Sequence, residues 1–523
     1  MIFLGLSAVT NTLNQSTESK TLEMVDEPLN VILPLSQLNE PGFQEGDVLT
    51  NATLTTKSSK TCVIIDNGTV SCWGNNYNGG LGDGTTTSKS SPTQTSSLGT
   101  GRTAVAISGS CAILDNGNVS CWGFNSYGMV GDGTNKQRTT PTQTSSLGTG
   151  RTAVAISTGS GHVCAILDDG SVSCWGRNAQ GVIGDGTTTN RLSPSPTWSL
   201  GTNREAVAIS SGGYHTCVIL DDGSVSCWGY DGYGQLGTTS GSSTNYPQQT
   251  SSLGAGRTAV AISSGQSHTC AILDDGTVSC WGANNNGQLG DGTTNRRYSP
   301  TQTSSLGSGR TAVAISSGEY HTCAILDDGS TSCWGRNDYG QLGDGTMTQR
   351  NTPTQITSLM TGPTAVAISA ADGYTCAILN NGSVSCWGEN SAGQLGDGTT
   401  TDHTSTTQTL DIGIGRTVAL SDFDIDGDGF LNHFEDFPND STENKDSDGD
   451  GIGDNSDTCP LDADNDADAD GVCGDQDAFP NDASETTDSD SDGVGDNSDI
   501  CPLDANNDAD ADGICGDQDA FPN

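Results

Sequence analysis

Cys164-Ala-Ile-Leu-Asp-Asp-Gly-Ser-Val-Ser-Cys-Trp-Gly176 is the stretch that decides how this chain folds. Close copies begin at Cys62, Cys111, Cys217, Cys270, Cys323 and Cys376, making seven. Successive first cysteines lie 49 residues apart at the first step and 53 apart at every later one. A fixed period of this length signals stacked supersecondary units rather than one irregular core. Inside the unit, two short apolar runs flank Asp168-Asp169-Gly170, a three-residue loop whose last Gly suits the left-handed turn of a hairpin. That loop sets Ile166 opposite Val172 and Cys164 opposite Cys174, all on one side. Directly opposed strand residues have Cα atoms roughly 4.5–5.5 Å apart, within disulfide reach. The spacing therefore reads as a staple across each hairpin: Cys62–Cys72, Cys111–Cys121, Cys164–Cys174, Cys217–Cys227, Cys270–Cys280, Cys323–Cys333 and Cys376–Cys386. Seven pairs of buried free thiols are the alternative. Zinc is disfavoured, since no two cysteines are separated by only two residues.

Each unit has a second half. Thr152-Ala-Val-Ala-Ile-Ser157 precedes the hairpin and reads as a strand, and Gly287-Gln-Leu-Gly-Asp-Gly-Thr293 typifies the turn-dense segment that follows it. With no helical periodicity in the unit, short antiparallel sheets arranged radially are predicted: an all-β, seven-bladed propeller. The pattern Trp-Gly-x-Asn-x-x-Gly-Gln-Leu-Gly, with Gly-x-x-His-Thr-Cys-Ala-Ile-Leu before it, resembles the regulator-of-chromosome-condensation repeat family over about residues 46–421. That family forms seven-bladed propellers, so the resemblance implies the fold that the repeat count reaches separately.

The chain has 523 residues, enough for a large domain and an appendage. Residues 1–45 read as a leader remnant and linker, because Met1-Ile-Phe-Leu-Gly-Leu6 is apolar but too short to span a bilayer. Residues 46–421 are the propeller and 422–523 an acidic repeat region. Thr50 to Thr55 matches the usual strand poorly, whereas Arg416-Thr-Val-Ala-Leu-Ser421 supplies that strand with no hairpin after it. This last strand is expected to pair into the first blade, closing the ring without an open sheet edge.

Variation among the copies marks candidate sites. After each Trp-Gly stands Asn75, Phe124, Arg177, Tyr230, Ala283, Arg336 or Glu389. Loops on a rigid scaffold carry binding residues, so Phe124, Arg177, Tyr230, Arg336 and Glu389 are candidate partner contacts. The alternative is a solvated position free to drift. His162, His215, His268 and His321 each stand two residues before a hairpin cysteine, where Lys60, Gly109 and Tyr374 occupy the other copies. A residue repeated around a ring reads as a turn-stabilising hydrogen-bonder rather than a catalyst. The lone Trp198 reads as packing.

At about Asp422 the composition changes. From there to Asn523 stand 33 acidic residues and one basic, so this fifth of the chain carries −32 of the −45 net charge. Asp424, Asp426, Asp428, Asn432 and Glu435 match every side-chain ligand position of an EF-hand-type calcium loop, with Phe430 giving its carbonyl. Asp446, Asp448, Asp450, Asp454 and Asp457 repeat the pattern, as do Asp488, Asp490, Asp492, Asp496 and Asp499. Two further loops have Gly at the ninth position: Asp466, Asp468 and Asp470 closed by Asp477, and Asp508, Asp510 and Asp512 closed by Asp519. The order Asp446 to Cys459 resembles thrombospondin type 3 repeats, which implies Ca2+ as the organising ion and a stalk with little secondary structure. The pairing of Cys459, Cys473, Cys501 and Cys515 stays open at this stage. An acidic disordered solubiliser is the alternative, but regular Asp-Gly phasing argues against it. The chain is expected to continue past Asn523, since the earlier copy runs on into another loop.

Disulfides and millimolar-range calcium sites select the same compartment, the cell exterior or cell surface. The function expected is a non-enzymatic binding or adhesion module, with a monomeric propeller presenting its loops to a protein or surface glycan. Neither nucleic acid nor a membrane span is expected. The family resemblance implies an alternative, an intracellular guanine-nucleotide-exchange-type regulator that docks on chromatin, but no basic tail for phosphate contacts is present. A secreted enzyme inhibitor is a further alternative. An enzyme is the least favoured, because near-identical blades lack a unique catalytic cluster.

Overall fold

The computed structural model describes residues 53–356 and 363–410, Ile412, Val418 and, in the acidic region, Thr442, Lys445, Ser447, most of 452–505 and Cys515. Two compact units divide after Leu420, and each is described by itself.

The first unit holds seven four-stranded antiparallel sheets, each built from strands consecutive in sequence. Blade three shows the plan: Ala153–Thr158, His162–Leu167, Val172–Gly176 and Arg191–Pro196. The hairpin register is the one the loop dictates, with Cys164 opposite Cys174 and Ile166 opposite Val172. Gly170 takes φ +72°, and its amide returns to the Leu167 carbonyl at 2.9 Å. A Cβ there is disfavoured twice, by the left-handed backbone and by Glu205 at 2.5 Å. All seven hairpin staples form, with Cα atoms 4.0–4.1 Å apart.

The first strand of every sheet touches the first strands of both neighbouring sheets, so the seven form a closed inner ring. Alanine and serine dominate these strands, and their small side chains permit that approach. The core is therefore divided into seven clusters, one in each seam. In the seam between blades three and four, Ile166, Val172 and Ile183 meet Val218, Leu220 and Trp228. Each cluster holds one Trp of the Trp-Gly motif, and six of these seven indoles are fully buried. Burying one aromatic side chain stabilises by about 1.5–3 kcal/mol.

Ring closure differs in part from the expectation. Val418 does reach the first blade, bridging Ile65 and donating its amide to the Gly382 carbonyl at 3.1 Å. The inner strand of blade one, however, is Leu54–Lys57, which pairs with Lys60–Val63. The poorly matching Thr50–Thr55 segment thus contains the start of the strand assigned to Thr417–Ser421. The reason lies in packing: Thr53, Leu54, Thr55 and Thr56 are all buried, and the Thr56 amide and hydroxyl both bind Ser369 Oγ of blade seven, at 3.0 and 2.8 Å. The other residues of Thr417–Ser421 lie outside those described.

Candidate functional site

Two places carry side chains beyond what the repeat needs. One is a face of the propeller and the other the acidic loops.

The face is built from the turn between the first and second strands together with the loop after Trp-Gly. These join because the residue after Trp-Gly donates its amide to a turn carbonyl, as in Arg177 to Gly161, Tyr230 to Tyr214, Arg336 to Tyr320 and Glu389 to Gly373, at 2.8–2.9 Å. Phe124 meets Tyr127 edge-on at 5.8 Å between centroids. The Arg177 guanidinium lies over Tyr127 at 5.4 Å and Tyr214 at 5.8 Å, beside a small cleft lined by Ser160, His162, Gln180 and Gly213. Tyr230 meets Tyr233 edge-on at 6.3 Å, and the Arg296 guanidinium lies over the Tyr233 ring at 5.5 Å. Arg336 repeats the arrangement between Tyr320 and Tyr339, and also pairs with Asp338 at 2.8 Å. A stacked guanidinium keeps its charge and donors available while its rotamer freedom is already spent.

Of the five predicted contacts, the structure brings Phe124, Arg177, Tyr230 and Arg336 into this arginine–tyrosine crown. Glu389 accepts a hydrogen bond from Ser391 at 2.7 Å, and its carboxylate borders the crown, lying with the Tyr339 ring against Gly373. Tyr127, Tyr214, Tyr233, Tyr320, Tyr339 and Arg296 escaped the sequence reading. A signal existed for three of them: Tyr127, Tyr233 and Tyr339 each fall three residues after the variable position. A carboxylate adjoins the crown: Glu319 is hydrogen-bonded to the Tyr320 side chain and faces Arg336. Burial lowers the Lys57 pKa, partly offset by the carboxylates of Asp372 and Glu319, while burial and Asp372 raise that of Glu319. Trp198 is exposed, covers Gly186 and stacks on Tyr246 at 5.8 Å.

The four histidines correct another expectation. Their carbonyls do close the preceding turns, accepting from Gly159, Gly212, Gly265 and Gly318 at 2.8–2.9 Å, but their side chains join neighbouring blades. His215 Nε2 lies 2.8 Å from Thr269 Oγ1, and that hydroxyl donates to the Gln235 carbonyl at 2.9 Å. Since the hydroxyl proton is spent on the carbonyl, the imidazole must donate from Nε2. The Trp281 indole donates to the same carbonyl at 2.9 Å. His162–Thr216, His268–Thr322 and His321–Thr375 repeat the contact at 2.9–3.0 Å. Burial drives all four pKa values down to about 3. Protein-level catalysis by such rings is disfavoured, since each is buried and committed to a seam.

Among the described residues of the acidic unit, two loops each bring three aspartates together. Asp466 accepts the amides of Asp470 and Gly471 at 3.0 and 2.9 Å, and Asp488 accepts those of Asp492 and Gly493 at 3.2 and 2.9 Å. These bonds curl each loop so that ligand oxygens of Asp466, Asp468 and Asp470, and likewise of Asp488, Asp490 and Asp492, lie within 4.8 Å of one another. Asp477 and Asp499, the closing positions, each spend Oδ1 on an amide two residues on, at 2.8 Å. Their Oδ2 atoms are buried without partners, as are Asp468 Oδ2, Asp470 Oδ2 and both oxygens of Asp490. Desolvation and then Asp470, Asp477 and Asp466 raise the Asp468 pKa; desolvation, Asp492, Asp499 and Asp488 do the same to Asp490. Converging, unpartnered carboxylate oxygens fit a hard divalent cation.

The ninth-position residues behave differently. Asp454 accepts the amide and hydroxyl of Ser447 at 2.8 and 2.7 Å, and Asp496 those of Ser489 at 2.8 and 2.6 Å. They lace the loop to its second residue. Asp457 Oδ2 is buried without a partner. Disulfides Cys459–Cys473 and Cys501–Cys515 settle the open pairing, with Cα atoms 5.5 Å apart, and no cysteine is free. The expected ligands Asp424, Asp426, Asp428, Phe430, Asn432, Glu435, Asp446, Asp448, Asp450, Asp508, Asp510, Asp512 and Asp519 lie outside the described residues.

Known proteins place the fold. The RCC1-like domain profile matches residues 110–421, and the regulator of chromosome condensation (RCC1) repeat matches 67–112. Human E3 ubiquitin-protein ligase HERC2 is 31% identical over 245 residues, 47% of this chain but 5% of its own length. The Arabidopsis thaliana ultraviolet-B receptor UVR8 is 32% identical over 249 residues, 47% of this chain and 56% of the receptor. The chain thus spans about half of one relative and a small fraction of the other. Yeast RCC1 (Prp20), in its crystal structure with Kap60, superposes with TM-score 0.59 at 18% identity, covering 76% of this chain and 91% of that one. At that identity the likeness concerns the fold alone.

Proposed function

The chain belongs to the RCC1-like domain family, and from that premise we propose that it is a protein-binding propeller working at the cell exterior, with an acidic region organised by Ca2+. The arginine–tyrosine crown carries the proposal. Arginine and tyrosine dominate the few residues that supply most interface energy, and here three guanidiniums are held against tyrosine rings on one face. Pairing of all 18 cysteines supports an oxidising compartment. The unpartnered oxygens of Asp468, Asp470, Asp477, Asp490 and Asp499 support calcium, which the exterior supplies at concentrations that fill weak sites.

Cross-linking mass spectrometry on the full chain tests this reading. The chain is applied in millimolar calcium to intact cells of its host and, separately, to their cytosolic extract. Cross-links from crown peptides to a surface protein, lost in the Arg177→Glu/Arg336→Glu variant, are expected. Crown cross-links confined to the extract would instead favour an intracellular regulator, the reading suggested by the Kap60-bound relative. Cross-links that avoid the crown would reject the contact face altogether.

A further inference from the structure

The seven seams are not chemically alike. Four consecutive ones, from blade three to blade seven, are locked by a His–Thr pair. The closing seam between blades seven and one uses Tyr374, whose hydroxyl binds the Lys60 carbonyl, with Thr61 Oγ1 reaching both Tyr374 and the Gln394 carbonyl at 3.2 and 2.8 Å. Between blades one and two, Lys60 packs where a histidine would lie, and Ser110 binds the Gly80 carbonyl at 3.2 Å. Between blades two and three the pair is Gly109 and Val163, with no polar side chain at either position. We propose that the propeller contains an acid-sensitive arc, in which the four His–Thr seams unlock at mildly acidic pH while the closing seam and its two successors hold.

The geometry gives the reason. Each imidazole is at most 1% exposed. His215, His268 and His321 have buried Nδ1 atoms without a partner. A second proton must go to Nδ1, where nothing can accept its hydrogen bond, and a buried cation lacking a partner is costly. Neighbouring charges do not help. Lys57 faces His162 and His215, Arg336 faces His321, and the histidines face one another. The acidic groups on that side, Glu319 and Asp372, are engaged with Lys57 instead.

The sign follows from linkage. The folded pKa values are lowered to about 3, while an exposed imidazole titrates at about 6.5. Stability is therefore complete above pH 6.5 and falls as pH drops toward 3. At pH 5 each histidine raises the opening constant about 30-fold. Lys60, lowered to about 8 by burial and Lys57 against the opposing pull of Asp372, has already taken its proton by then and is silent in this window. Glu319, raised by burial, acts in the opposite sense and by at most one proton.

Urea unfolding of the full chain between pH 7.5 and 5, in saturating calcium, provides the test, paired with hydrogen exchange expressed as protection factors. Near pH 5 the logarithm of the unfolding constant should change by about four per pH unit. Each His→Gln replacement, which keeps a donor near Nε2, should remove one unit, beginning with His268→Gln alone in case the quadruple variant does not fold. Protection should fall first in His215–Leu220, His268–Leu273 and His321–Leu326, ahead of Lys60–Ile64 and Cys111–Leu114. A slope of one or less, or a slope untouched by His268→Gln, overturns the titration. Simultaneous loss of protection in all these strands overturns the arc.

Discussion

Replacing Thr269 by Val isolates the seam chemistry at nearly constant shape. Thr269 is fully buried, and its hydroxyl accepts from His215 Nε2 at 2.8 Å and donates to the Gln235 carbonyl at 2.9 Å. Two hydrogen bonds vanish, worth about 1 kcal/mol each, and the buried His215 donor is orphaned at a further ~1–3 kcal/mol. The Gln235 carbonyl is spared, because the Trp281 indole still reaches it at 2.9 Å. The expected destabilisation is about 3–5 kcal/mol, or roughly two to four powers of ten in the unfolding constant. Urea denaturation followed by tryptophan emission measures it, since Trp281 sits on the same carbonyl. Thr269→Val should also couple to His215→Ala by about 2 kcal/mol in a double-mutant cycle, because with the imidazole gone no donor is left stranded. The Gly109 and Val163 seam likewise lacks both the imidazole and the hydroxyl. A cost below about 1 kcal/mol, or additivity within ~0.5 kcal/mol, would refute the reasoning.

Two further outcomes are expected. Asp490→Asn with Asp499→Asn removes carboxylates that converge without partners; equilibrium dialysis should show one calcium ion fewer per chain, and unchanged stoichiometry would remove that loop from the calcium sites. Opening one blade staple with Cys270→Ala/Cys280→Ala releases a closure of sequence separation 10, which chain entropy values at about 3 kcal/mol. A shift under ~1 kcal/mol in urea would show that the hairpin register alone holds the strands.

The crown and the seams differ in how visible they were beforehand. Variation at Phe124, Arg177, Tyr230 and Arg336 marked one loop position in the sequence, yet not the tyrosines that sandwich the arginines. Tyr214 and Tyr320 belong to a different turn, brought alongside by backbone hydrogen bonds between segments 16 residues apart, such as Tyr230 to Tyr214 and Arg336 to Tyr320. In the acidic loops the sequence pattern anticipated the convergence of Asp488, Asp490 and Asp492, because those carboxylates come from one short segment. It did not anticipate that Asp454 and Asp496 lace the loop through Ser447 and Ser489.

By itself the sequence determined whatever lies within one repeat: hairpin register, cysteine pairing, turn positions and blade count. These rest on local backbone geometry, where a three-residue loop and period-two alternation leave one arrangement. Only the tertiary structure decided what crosses from one repeat to the next. His215 and Thr269 are 54 residues apart, and nothing in the spacing within a unit says that a histidine before one hairpin reaches the threonine before the following one. The same limit hid the composite first blade, in which Leu54–Lys57 and Val418 share the work of one strand. Repeats encode their own shape locally, and the contacts between them come from how far each blade turns about the common axis.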